Sequence, residues 1–112
     1  MNLDTLITTT LSPLGYAAYA NQYDGDDDIF FVFNYTTYPD GFWNDEANAE
    51  KHLVQIHLFA PHGDNINALR KKTKMAIADA GLTWPSEVNA SETSCQHYVY
   101  ECEIITGAGD NG

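Results

Sequence analysis

Apolar residues recur at three- and four-residue steps from Leu3 through Leu6, Ile7 and Leu11 to Leu14. That is the spacing of one helix face, and Asp4 falls in the first turn, where the helix dipole favours a carboxylate. The pattern predicts a short N-terminal helix ended by Ser12-Pro13, with a Thr8-Thr9-Thr10 run of poor helix formers that only tertiary packing can hold. From Tyr16 to Tyr23 the pattern is that of a strand. Asp24-Gly25 reads as a hairpin turn, and the run Ile29-Phe30-Phe31-Val32-Phe33 as a central strand.

Between Tyr38 and Glu50 the pattern turns irregular, too polar for a core element yet carrying Phe42 and Trp43 side by side, which predicts a long functional loop. His52 to Ala60 resumes strand character, with Val54, Ile56 and Leu58 on one face and Leu53, Gln55, His57 and Phe59 on the other. Apolar groups on both faces suggest a central position. Pro61-His62-Gly63 breaks that strand, and Asp64 is placed to cap a helix whose stripe runs Ile66, Leu69, Thr73, Ala76, Ile77 and Ala80 before Gly81 closes it. A short stretch around Leu82 to Trp84, a polar loop from Ser86 to Ser94 and a last strand from Gln96 to Thr106 follow. In that strand Tyr98, Tyr100, Cys102 and Ile104 share a face. The expected fold is α+β: a mainly antiparallel sheet of four to five strands packed against two helices, in the order α-β-β-β-α-β-β. It forms one domain over residues 1–106, with a flexible tail over 107–112.

The chain of 112 residues has 16 acidic and 5 basic residues, a net charge of −11. Phosphate-backbone binding draws on Lys and Arg, so nucleic acid is an unfavourable direct ligand. The hydrophobic fraction of 44% still supplies one core. The N-terminus carries no basic segment followed by an apolar run and nothing long enough to span a bilayer, so the expectation is synthesis in a cytoplasm without membrane attachment. Cys95 and Cys102, seven positions apart on one extended segment, face opposite ways and read as free thiols.

Candidate chemistry is sparse. Asp24-Gly25-Asp26-Asp27-Asp28 opens like a calcium loop, but Ile29 and Tyr35 stand where an EF-hand needs its glycine and its bidentate glutamate, so it reads as a solvated hairpin tip. His52, His57, His62 and His97 do not share one parity or one strand, so they read as sheet-surface histidines and not as a zinc site. No Ser sits in a nucleophile elbow, and Cys95 and Cys102 have no evident base. Glu101 and Glu103 share a strand face but read as a solvated edge rather than an acid and base pair. No catalytic residue, metal or cofactor is expected.

The distribution of charge is more informative. Arg70, Lys71, Lys72 and Lys74, four of the five basic residues, fall on the second helix of an otherwise acidic chain. Beside a plain solvated helix face stands the reading of an electrostatic seam, with Arg70, Lys71 and Lys74 docking on an acidic surface of a partner or of a neighbouring copy. Phe42 and Trp43, with Asp45 and Glu46, have the makeup of an interface anchor with a polar rim; the alternative is that they fold back over the sheet.

Leu11-Ser12-Pro13-Leu14-Gly15, the Tyr23-Asp24-Gly25 turn, Phe33-Asn34-Tyr35, Trp43 with Asp45-Glu46-Ala47, the strand Val54 to Phe59, Ala80-Gly81-Leu82 and His97-Tyr98 follow one another over nearly the whole chain. In that order and spacing the chain resembles the tail terminator, or tail completion, proteins of long-tailed phages and prophages of Gram-positive bacteria. The resemblance implies a non-enzymatic virion component, made in the bacterial host cytoplasm. It would form a homo-oligomeric ring, expected to be a hexamer, on the head-proximal end of the tail tube. Its partners would be the tail tube protein and the head connector protein. The family has no catalytic residues to carry over. A second reading, from another class, is a small acidic binding or inhibitor protein that mimics nucleic acid and acts on a host protein.

Overall fold

The computed structural model describes the backbone of residues 2–23, 25–43 and 46–107, and their side chains apart from residues 40–43 and 46–48. Helix α1 (Leu3–Leu11) starts at Asn2, whose Oδ1 accepts from the Thr5 N–H, and buries Leu3, Ile7 and Leu11. A 3-10 turn over Ser12–Leu14 follows, closed by Gly15 at φ 91°, where a side chain would be strained. Thr8 and Thr10 donate hydroxyl hydrogen bonds to the carbonyls of Asp4 and Leu6, four residues back, which satisfies these two hydroxyls within the helix.

Among the described residues five strands form one mixed sheet: β1 (Ala18–Ala20), β2 (Phe30–Trp43), β3 (Glu46–Ala60), β4 (Ser86–Asn89) and β5 (Gln96–Gly107). Their order is β1-β2-β3-β5-β4, which puts β3 at the centre, as its two-sided apolar pattern requires. Helix α2 (Asn67–Asp79) connects β3 to β4. The sheet is antiparallel except for β1 beside β2. The α+β class and the element order therefore follow the sequence pattern.

Five local expectations are corrected. No hairpin joins β1 to β2 at Asp24-Gly25, because the two strands run parallel, with Tyr19 opposite Val32. Asn21, at φ 69°, turns the chain out of β1, and residues 21–29 carry it back to enter β2 in the same direction. The segment from Tyr38 to Glu50 is no irregular loop, since β2 and β3 stay paired out to Trp43 opposite Glu46. Pro39 is tolerated there because β2 has no strand on its outer side at that point among the described residues. Asp64 does not cap α2: Ile66 holds the cap position without a side-chain bond, and Asn65 Oδ1 accepts from the Asn67 N–H. The polar stretch from Ser86 to Ser94 contains β4, a short edge strand whose inward residue is the charged Glu87, so no apolar alternation marks it. Gly107 belongs to β5, and the rest of the expected tail lies outside the described residues.

The two helices cover one face of the sheet. Beneath them Phe31, Phe33, Val54, Ile56, Leu58 and Tyr100 are fully buried with Ile7, Leu11 and Ile77. Each such side chain contributes about 1.5–3 kcal/mol by leaving water. Tyr35 Oη donates to Asp4 Oδ1 of α1 at 2.7 Å, and Arg70 of α2 lies 4.1 Å over the Tyr98 ring of β5. Thus α1 sits toward β2 and α2 toward β5. Among the described residues no helix covers the other face. The molecule measures 55 × 23 × 23 Å, and strands of 14 and 15 residues, about 45 Å of extended chain, account for its length.

Candidate interaction surfaces

On the helix-covered side, Glu87 ties three elements together. Its carboxylate accepts from Arg70 Nε at 3.0 Å and Nη2 at 2.7 Å, a two-pronged pair, and from Tyr100 Oη at 2.7 Å, with Lys74 Nζ 3.7 Å away. The Arg70 bonds, supported by Tyr100, hold the Glu87 carboxyl down to about 2 against opposing desolvation. Burial and Glu87 push the Tyr100 hydroxyl up. Two members of the proposed basic seam, Arg70 and Lys74, thus point at a carboxylate of their own chain. Lys71 and Lys72 stay exposed and have no ion pair among the described residues.

The uncovered face divides in two. Toward the loop after β1, the rings of Tyr23, Phe30, Phe59 and His97 stack in series at centroid distances of 3.7, 5.0 and 4.1 Å, and His57 continues the row 5.1 Å beyond. Gly25 is fitted against this row: a Cβ there would stand 3.1 Å from Tyr19 Oη and 3.2 Å from the Tyr23 ring. Tyr19 Oη donates to Asp27 at 2.6 Å, which, with desolvation, raises the Tyr19 hydroxyl to about 12. The acidic run is therefore anchored to the ring stack through Asp27, while Asp24 lies outside the described residues.

His57 Nδ1 and His97 Nε2 share a hydrogen bond of 2.8 Å, and Asn34 Nδ2 lies 3.3 Å from His57 Nε2. An amide nitrogen only donates, so His57 Nε2 accepts, and Nδ1–H passes its proton's bond to His97. Burial lowers the pKa of both rings. For His57 the neighbouring His97 lowers it further and Glu101 opposes. His52 is a correction to the surface assignment, since it is buried on the helix side between Thr37 Oγ1 at 2.8 Å and Thr106 Oγ1 at 3.1 Å. His62 bonds the Glu92 carbonyl. The four histidines do not converge, and among the described residues no three His, Cys, Asp or Glu side chains gather as a metal would need.

Toward the arm formed by the paired far ends of β2 and β3, residues 37–43 and 46–52, the uncovered face forms an open groove of about 580 Å³ lined by Thr36, Leu53, Gln55, Trp84, Glu101 and Glu103, among others. Gln55 Nε2 donates to Glu101 Oε2 at 3.2 Å, and Lys51 Nζ lies 3.4 Å from Glu103. Glu101 and Glu103 each have a cross-strand partner, and the edge expected of them is corrected, since Glu101 lies between Gln55 of β3 and Ser86 of β4 in an interior strand. Cys102 is buried on the opposite side, where burial raises its thiol to about 12, and Cys95 is likewise a free thiol.

Of the aromatic loop residues, Phe42, Trp43 and Glu46 have backbone in the β2–β3 arm while their side chains, with the whole of Asp45, lie outside the described residues. Sequence reasoning missed Glu87 and Trp84. Glu87 is signalled only by an acidic residue in a strand-length segment, and Trp84 by a tryptophan next to Pro85 in otherwise polar surroundings. In comparison with known proteins, no family model matches the chain and no curated protein matches it.

Proposed function

We propose that this chain is a structural subunit of a long phage tail, which closes the head-proximal end of the tail tube as a ring and joins it to the head connector without catalysing a reaction. The observation that carries this reading is the long β2–β3 arm. Beyond Phe33 the outer edge of β2 has no strand neighbour among the described residues, so apart from Pro39, which has no N–H, its outward backbone groups are open to another chain. An edge of that length is a site for strand addition, in which main-chain bonds supply affinity and alternate side chains supply specificity. The net charge of −11 suits a ring around passing DNA, because like charge keeps phosphates from adhering to the wall.

The test is growth of tail tubes from purified tube protein, followed by light scattering. Adding this chain is expected to arrest elongation at a low ratio of chain to tube protein, as an end-capping ring must. Unchanged growth, together with stable binding to a basic host protein, would support the nucleic-acid-mimic reading instead, which the acidic charge by itself also fits.

A further inference from the structure

We infer that copies of this chain join back to front, with the outward face of α2 of one copy seated on the uncovered sheet face of the next. The inference rests on the ring reading and names the two surfaces that build the ring. The receiving surface is the arm-side part of the uncovered face. There Trp84 and Ile105 are 63% and 57% exposed, and Leu53, 36% exposed, lines the same groove as Trp84 and the carboxylates of Glu101 and Glu103. A sheet face that turns large apolar side chains to solvent alongside carboxylates has the composition of a docking surface.

Charge selects what this surface receives. Among the described residues Arg70 and Lys74 are engaged by Glu87 and Lys51 by Glu103, which leaves Lys71 and Lys72 as the cations without an ion pair. Both stand on the exposed side of α2 beside Met75, which is 47% exposed. Two cations flanking an apolar side chain complement a groove that holds Trp84 and Glu101, a carboxylate without an ion pair among the described residues. The surfaces lie on opposite sides of the sheet, so a copy docked on one leaves its own second surface open to the next copy. That is a heterologous contact, which closes into a ring when its rotation divides the circle.

Two variants test it by sedimentation velocity. Lys71→Glu with Lys72→Glu disables the helix surface, and Trp84→Ala with Glu101→Lys disables the sheet surface; all four positions are exposed, and circular dichroism melts should match the parent chain. Each variant alone is expected to lose self-association by at least about tenfold, the scale of removing an aromatic anchor. Mixed in equal amounts they should form a dimer and nothing larger, since one intact surface of each kind remains. If each variant alone assembles as the parent does, the two surfaces are wrong while the ring reading stands. If the parent chain stays monomeric at millimolar concentration and on tail tubes, so that the face is left for a different protein, both are overturned.

Discussion

Glu87 shows how one residue can tie a helix to two neighbouring strands. Its carboxylate holds Arg70 of α2 and Tyr100 of β5, and it is the inward residue of a four-residue strand. Glu87→Ala is expected to lower stability by about 2 kcal/mol at neutral pH, because a charge-assisted pair and a buried hydroxyl lose their acceptor. The pH dependence has a definite sign. The folded carboxyl sits at about 2 against an ordinary 4.5, so its contribution is complete above 4.5 and disappears as pH falls toward 2. Chemical denaturation of parent and variant should give curves that converge over that range. Arg70→Glu should likewise destabilise the monomer, by placing like charge against Glu87, whereas Lys71→Glu should not. The run of basic residues was plain in the sequence, but which of them face inward was not. That division depends on the partner strand β4, and nothing in a polar stretch announces a strand.

The His57 and His97 pair gives a second residue-scale expectation. Burial keeps both rings below the ordinary 6.5, so the unfolded chain takes up protons first and stability must fall as pH drops through the folded values. The melting temperature is expected to decline between about pH 7 and pH 5, and His97→Gln should flatten that decline. A decline of equal size in the variant would place the sensitive group elsewhere. The parity of His57 was legible from the alternation of β3. Its meeting with His97 needed the register of β5, which local pattern does not carry.

At the scale of elements, the two kinds of segment differ in how they are held. Helix α2 has no side-chain cap and is fastened by Thr73 and Ile77, both fully buried. Ile77→Ala should cost about 2–5 kcal/mol in urea unfolding. The arm is the reverse case, stabilised by its backbone ladder and remote from the core around Phe31 and Leu58. Replacing residues 41–48 with Asn-Gly, a two-residue hairpin turn, should leave the melting temperature almost unchanged and abolish arrest of tube growth. A large loss of stability would instead make the arm part of the fold. The core strands were legible because one residue in two is apolar and buried. The arm was not, because Pro39, Asp40 and Gly41 interrupt that alternation at a place where long-range pairing overrides local preference.

Among the described residues the decisive feature of the whole molecule is that its surfaces are unequal: one sheet face covered by helices, the other open with exposed apolar groups, and an arm whose outer edge has no strand neighbour. Such a body offers different faces to different neighbours, which a ring at the end of a tube requires. Because the proposed contact between copies pairs charge as well as apolar surface, raising salt should weaken assembly without dissolving it entirely. The account is tested most directly by electron microscopy of purified tail tubes incubated with the chain. It predicts a ring of density on one end of each tube, absent when the arm is shortened. Bare tube ends, with the chain remaining monomeric in solution, would contradict it.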